Sequence, residues 1–225
     1  MKKLFITIAF VAAAMFASAQ LYVGGSLGFD TQKNSTKDSE GTQINYKTFA
    51  WDLTPSVGFM FADNMGVGLD FGFGMTTATY PKTPLRGEIK VKGTDWAIAP
   101  YFRYVFAEVD NFKFYADAKL GFGGTSYKVD PTDASAPIDP SNQLADNVVD
   151  GDKVSNFGFA VVPGMAYMIT DNISMNCTLN ILSLGFNQEK YTTKIADENV
   201  DYKTTDFGFG VNRATPITIG FFYTF

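Results

Sequence analysis

Between Trp51 and Phe61 a bulky or apolar side chain recurs at nearly every second position: Trp51, Leu53, Val57, Phe59 and Phe61. Ala50, Asp52, Thr54, Ser56 and Gly58 occupy the places between them. A period of two predicts a β-strand with two unlike faces. Pro55 interrupts the bulky set, although a proline cannot donate to a strand ladder. Related segments recur at APYFRYVFAEVDN and VPGMAYMITDN, so that Pro55, Pro100 and Pro163 each lie eight to ten residues before an Asp-Asn pair. We read each of these prolines as the mark of a bulge or a locally opened ladder.

The alternation extends over eight runs, at about 21–30, 48–61, 65–79, 94–107, 112–128, 154–169, 173–186 and 206–225. Asp63-Asn64, Asp110-Asn111 and Asp171-Asn172 each separate two runs and are followed at once by an apolar residue. Asp and Asn bond to nearby backbone and tolerate left-handed geometry, so these are three hairpin tips. The other connections are polar, at roughly 31–47, 80–93, 129–153 and 187–205; the third, rich in Pro, Asp, Ser and Asn, reads as irregular. Short turns alternating with long loops predict an up-and-down meander with both chain ends on the short-turn side.

The two faces decide what surrounds the meander. In the third run Met65, Val67, Leu69, Phe71 and Phe73 oppose Gly66, Gly68, Asp70, Gly72 and Gly74. In the fourth, Trp96, Ile98, Phe102, Tyr104 and Phe106 oppose Ala97, Ala99, Tyr101 and Arg103. Eight strands enclose too narrow an interior for the aromatic set, whereas the small and polar set fits. The large residues therefore face outward into lipid, and the predicted fold is all-β: an eight-stranded antiparallel up-and-down transmembrane β-barrel. A soluble sandwich or lipocalin-like barrel is the competing architecture. Trp51 and Phe61, like Trp96 and Phe106, stand ten residues apart on the outward face. At about 3.3 Å per residue and a strand tilt near 40°, that spacing rises roughly 25 Å, the height of an apolar band with an aromatic girdle at each edge.

Residues 1–19 stand outside this pattern. Lys2 and Lys3, a short apolar run and Ala17-Ser18-Ala19 form a secretory signal peptide, leaving residues 20–225 as the barrel domain. Two of the 18 basic residues go with it, against 23 acidic residues that remain. That balance argues against nucleic acid as a partner. Cys177 is the only cysteine, so no intramolecular disulfide forms; its parity points outward.

The run ITIGFFYTF places Ile217, Ile219, Phe221, Tyr223 and Phe225 on one face and ends on Phe225. With the Asp-Asn turns and the alternating runs, the whole of 20–225 resembles the eight-stranded outer-membrane barrels of the OmpA/OmpX-like superfamily. The resemblance implies a bacterial outer-membrane location, periplasmic Asp-Asn turns, and a terminal strand recognised by the barrel-assembly machinery. It also implies contact with outer-membrane lipid and lipopolysaccharide, a monomer, and no C-terminal peptidoglycan-binding domain. Enzymes among barrels of this size resemble lipid-A acylases, phospholipases and surface proteases, which rely on a histidine base; this chain has no histidine. The expectation is a non-enzymatic barrel without cofactor or metal. It would be structural or surface-interacting, adhesin-like or membrane-stabilising, presenting four extracellular loops whose partner the sequence does not name. The alternative is a narrow pore or transporter for small solutes.

Charged residues of inward parity are Asp52, Asp70, Arg103, Asp117 and Lys119. Asp70 lies six residues past Asn64, Arg103 seven before Asp110, and Asp117 six past Asn111. Those spacings predict Arg103 facing Asp117, Asp70 flanking Arg103 from the other side, and Lys119 one layer higher. Buried charges must pair, and a cluster of this kind closes a lumen. Outside the barrel wall, Asp130, Asp133, Asp139, Asp146, Asp150 and Asp152 read as a solvated acidic loop without EF-hand spacing. Lys82, Arg86, Lys90 and Lys92, against Glu88, read as a basic stretch that could contact lipopolysaccharide phosphates.

Overall fold

The computed structural model describes residues 20–37, 43–81, 87–131, 148–179, 182–195, 198–211 and 217–225. The signal segment, Lys82, Arg86, Asp133, Asp139 and Asp146 lie outside the described residues.

Ten strand segments follow one another: β1 Gln20–Lys37, β2 Gln43–Ala62, β3 Met65–Tyr80, β4 Ile89–Val109, β5 Phe112–Asp130, β6 Lys153–Met168, β7 Ile173–Leu179, β8 Leu182–Ile195, β9 Glu198–Val211 and β10 Ile217–Thr224. Neighbours from β1 to β6 pair antiparallel in chain order. β6 pairs with β7 near the Asp-Asn turns and with β8 farther along. β9 pairs with β8, while β10 pairs with β7 and with β1. β7 with β8 therefore fill the seventh wall position and β9 with β10 the eighth. The result is the closed eight-stranded antiparallel barrel that the alternation predicts. Its closing seam is short: five register pairs join β1 to β10, from Tyr22↔Thr224 to Ser26↔Gly220, against eighteen between β1 and β2. Beyond Ser26, β1 is flanked by β2 alone among the described residues.

The strands outrun the sequence pattern at the loop end. Much of 31–47 and 187–205, expected as loops, is paired strand. These stretches are polar on both faces and so give no period-two signal. Cross-strand polar pairs hold them instead: Lys190 Nζ lies 2.8 Å from Asp201, and Thr192 Oγ1 donates to Asp201 at 2.8 Å. At the other end, Ala62↔Met65 and Val109↔Phe112 bracket two-residue turns, and Asp110 takes the left-handed conformation at φ 50°. The third turn is wider. The Ile169 and Thr170 amides both donate to the Ile173 carbonyl, and Thr170 Oγ1 accepts from the Asn172 and Ile173 amides. Asn172 Nδ2 ties this turn to the chain end by donating to the Thr224 carbonyl at 2.7 Å.

Each internal proline is paired on one side only. Pro55 faces Gly25 on β1, but the β2–β3 ladder skips from Leu53↔Phe73 to Ser56↔Asp70 without a change of register. Pro100 faces Leu69 on β3, and the β4–β5 ladder skips from Ile98↔Phe122 to Tyr101↔Lys119. Pro163 faces Ala116 on β5 and lies where β6 changes partner from β8 to β7. The missing N–H is thus turned toward an opened ladder. The register shifts in β2–β3 and β4–β5 fall elsewhere, at Met60/Ala62 and Val105/Ala107 beside the tight turns.

Outward parity carries the large apolar residues. Phe73, Trp96, Phe106 and Phe221 are each at least 50% exposed, and Phe29 reaches 80%. Such an exterior suits a hydrocarbon solvent, in which only a closed barrel satisfies every strand. Trp51 and Trp96, the two tryptophans, mark its edge remote from the Asp-Asn turns. In bilayers their emission should be blue-shifted and quenched more by lipids brominated near the headgroup than by lipids brominated near the chain end. Emission typical of indole in water, without lipid quenching, would place this face in solvent.

Candidate functional site: a plug across the lumen

The plug begins with four cross-strand pairs of an aromatic residue and a glycine. Inward parity sets Tyr22 opposite Gly58, Tyr101 opposite Gly68, Tyr115 opposite Gly164 and Phe222 opposite Gly24. A Cβ at Gly58, Gly68, Gly164 or Gly24 would collide with the facing ring. Each ring can therefore lie against its neighbour's bare backbone and reach across the bore. The Tyr22 and Tyr101 hydroxyls meet at 3.0 Å.

Arg103 sits among these rings. Its Cζ is 3.9 Å from the centroid of Tyr115, 5.4 Å from that of Tyr101 and 5.7 Å from that of Tyr22, within the range of cation–π attraction. Arg103 Nε donates to Asp117 Oδ1 at 2.8 Å and Nη2 donates to Oδ2 at 2.9 Å, a bidentate pair. Asp117 is 1% exposed. Lys119 Nζ donates to Asp70 Oδ2 at 2.7 Å and lies 3.9 Å from Asp117 Oδ2. Ser56 Oγ donates to Asp70 Oδ1 at 2.7 Å. The charges thus form a chain, Arg103–Asp117–Lys119–Asp70, in which two cations meet two carboxylates.

This corrects one expectation. Asp70 does not flank Arg103: its register partner on β4 is Ala99, whereas that of Arg103 on β3 is Gly66. Lys119 stands one inward row above the Arg103–Asp117 pair and one below Asp70. It shares the row of Tyr101 and Gly68, and its long chain brings the ammonium to both carboxylates. Asp52 stands apart, exposed over Gly28 and without a hydrogen-bond or ion-pair partner among the described residues.

The plug divides two cavities. One of about 570 Å³ opens on the short-turn side, with Met60, Val105 and Ala166 in its wall. The other, of about 230 Å³, is lined by Ser26, Thr54, Ser56, Thr178 and Thr218. Arg103, Tyr115, Asn176 and Phe222 line both and are the partition between them.

A second closure lies at the loop end. Val148 packs on Ile89, Val91 and Val129. Asp150 accepts from the Val129 amide at 3.0 Å, and the Tyr127 amide donates to the Asp152 carbonyl at 2.9 Å. Asp152 Oδ2 accepts from the Val149 amide and from the Tyr191 hydroxyl, while Oδ1 has no partner. The expectation of a solvated acidic loop fails at Asp152, which is 1% exposed and satisfies the Val149 amide of the returning chain; Asp150 is exposed and holds that chain to β5 through the Val129 amide. Burial, reinforced by Asp152, pushes the Tyr191 hydroxyl pKa well up. Burial and then Asp95, Glu189 and Asp152 push that of Tyr127 up.

Sequence reasoning missed the tyrosine–glycine pairs and the Asp152–Tyr191 contact. Inward tyrosines and inward glycines are both visible in the pattern, but pairing them requires the register. Ile219, Phe221 and Tyr223 of β10, and Phe225 just past it, are outward and exposed; Ile217 pairs with Leu179, and its side chain lies outside the described set.

A family model described as the outer membrane protein beta-barrel domain matches residues 4–214. A Haemophilus influenzae relative, described as an uncharacterized protein, is 25% identical over 192 residues, 83% of this chain and 92% of the relative. Among solved structures, Neisserial surface protein A is similar at 15% identity and a TM-score of 0.40, over 92% of this chain and 99% of that one. A major outer membrane protein from Thermus thermophilus is similar at 14% identity and 0.47, over 92% and 100%. The outer membrane protein W of E. coli is similar at 15% identity and 0.38, over 92% and 98%.

Asp117→Asn should cost about 3–5 kcal/mol, because it leaves Arg103 buried without its counter-charge. Arg103→Met with Asp117→Leu should recover most of that loss, and urea unfolding in micelles measures both. At the loop end, folding raises the pKa of Tyr191 above its ordinary value of 10.0. Its contribution to stability is therefore complete below pH 10.0 and lost as pH climbs through the folded value. Titration at 295 nm should show one fewer late-ionising phenol in Tyr191→Phe than in wild type; equal late titration in both proteins would refute the buried Tyr191.

Proposed function

The chain belongs to the outer membrane protein beta-barrel family, and from that premise we propose that it is a non-enzymatic barrel with a sealed lumen, which strengthens the bacterial outer membrane and recognises partners at its loop end. The observation that carries this reading is the partition formed by Arg103, Tyr115, Asn176 and Phe222 between the two cavities. A solute would have to part the bidentate Arg103–Asp117 pair and lift the Tyr115 ring from the guanidinium. Against a path for an apolar solute stands the chain of four charges inside the bore. The absence of histidine from the whole sequence supports the non-enzymatic part, since the most versatile general base is missing.

In this reading the Asp-Asn turns face the periplasm, the longer connections face outward from the cell, and β10 carries the signal for the assembly machinery. The barrel works as a monomer in outer-membrane lipid, and its partners outside the cell are met by the loops.

Planar-bilayer recording tests the sealed lumen. Wild type should be silent, while Arg103→Ala with Tyr115→Ala should give discrete openings. Reproducible openings from wild type would favour a narrow pore for small solutes instead.

A further inference from the structure

The outward face at the loop end carries an unbalanced basic patch. Lys92 on β4 and Lys128 on β5 are register partners, so two ammonium groups of like sign project side by side from the same face. Like charges directly opposite in an antiparallel pair are destabilising. Lys153 on β6 stands opposite Ser126, two residues from Lys128 along β5 and on the same outward parity. All three lysines are exposed, and none has a carboxylate partner among the described residues. Opposed lysines recur at Lys33↔Lys47 and Lys190↔Lys203, but β3, next to the first pair, carries no lysine or arginine, and in the second Lys190 pairs with Asp201 at 2.8 Å. Lys90 pairs with Glu88 at 3.3 Å and faces Asp130. Three uncompensated cations on three adjacent strands are notable in a chain with more acidic than basic residues.

Their height gives them a partner. Lys92 lies four residues beyond Trp96 on the same outward file. At about 3.3 Å per residue and a tilt near 40°, its Cα stands roughly 10 Å above that tryptophan. Tryptophans settle at the headgroup boundary, and lysine side chains bend along apolar surface toward charge. The three ammonium groups therefore reach the layer in which lipid phosphates lie.

We propose that Lys92, Lys128 and Lys153 form a clamp for a lipid phosphate, with the phosphate bridging the opposed pair on β4 and β5 and Lys153 closing the site from β6. A doubly charged phosphomonoester suits three cations better than a phosphodiester, so the phosphorylated sugar headgroup of an outer-leaflet glycolipid is the fitting ligand and glycerophospholipids are the weaker competitor. This deepens the reading of a membrane-stabilising barrel and rests on its loop end facing outward from the cell, but it does not depend on a sealed lumen.

The test compares wild type, Lys92→Gln/Lys128→Gln and Lys92→Arg/Lys128→Arg in neutral detergent, with folding checked by heat-modifiable migration. Bisphosphorylated lipid A and phosphatidylglycerol are titrated in turn, with binding read by native mass spectrometry and the unfolding midpoint followed alongside. The glutamine variant should bind lipid A at least about tenfold more weakly, a change of about 1.4 kcal/mol. The arginine variant should keep its affinity, as should a Lys190→Gln control. Without lipid the glutamine variant should unfold at a higher midpoint than wild type, because the repulsion is gone; with lipid A the order should reverse. Equal loss for both lipids would support the clamp and assign it to lipid phosphate in general. Unchanged affinity in the glutamine variant, or no reversal of the midpoints, would overturn it.

Discussion

The interior of this barrel depends on one steric constraint: an aromatic ring can lie across an eight-stranded bore only where the residue opposite has no side chain. Four inward glycines supply that condition at register positions facing Tyr22, Tyr101, Tyr115 and Phe222. Any larger residue there would force the ring upright, and upright rings from neighbouring strands would collide in so narrow a space. The three tyrosine rings then offer negative quadrupole potential to the guanidinium that Arg103 places among them. The ion pair follows from the rings. Cation–π contact satisfies the faces of the guanidinium, and Asp117 satisfies one edge of its plane.

The same narrowness explains the prolines. Strands that curl this tightly must break hydrogen bonds somewhere, and the break costs least where the chain has no N–H to lose. Pro55, Pro100 and Pro163 are each paired on one side and unpaired on the other. They recur on alternate strands, β2, β4 and β6, so the openings are spread around the wall. The register shifts at Met60/Ala62 and Val105/Ala107 serve a separate purpose near the tight turns, where an extra residue adds local twist.

Much of this was legible in the sequence because the two solvents of the barrel wall are so unlike. Trp96, Phe102 and Phe106 against Ala97, Ala99 and Arg103 separate lipid from lumen by parity alone, and the Asp-Asn pairs count the hairpins. The strand count, the inward set and the Arg103–Asp117 facing pair all follow from parity and distance to a turn. What was not legible depends on register across several strands or on the reach of a flexible side chain. Asp70 and Arg103 stand at similar distances from their own turns, yet the stagger between β3 and β4 separates them, and the four-carbon stem of Lys119 fills the difference. The polar strands above the membrane carry no alternation, so their pairing could not be seen. Asp152 looked like one more loop carboxylate, because nothing local indicates that the chain folds back to bury it.

Charge is sorted by a single rule on the two sides of the wall. Inside, where a bare charge is costly, the four groups from Arg103 to Asp70 sum to zero within one hydrogen-bonded chain. Outside, at the level of the headgroups, Lys92, Lys128 and Lys153 are left without protein partners, and Lys92 and Lys128 are placed where they repel each other. A folding chain under selection for stability alone would relieve that repulsion cheaply, since one opposed glutamate would turn it into attraction. The repulsion is relieved in surroundings that supply the counter-charge. Those surroundings are the phosphate layer of the membrane into which the barrel's apolar exterior already fits.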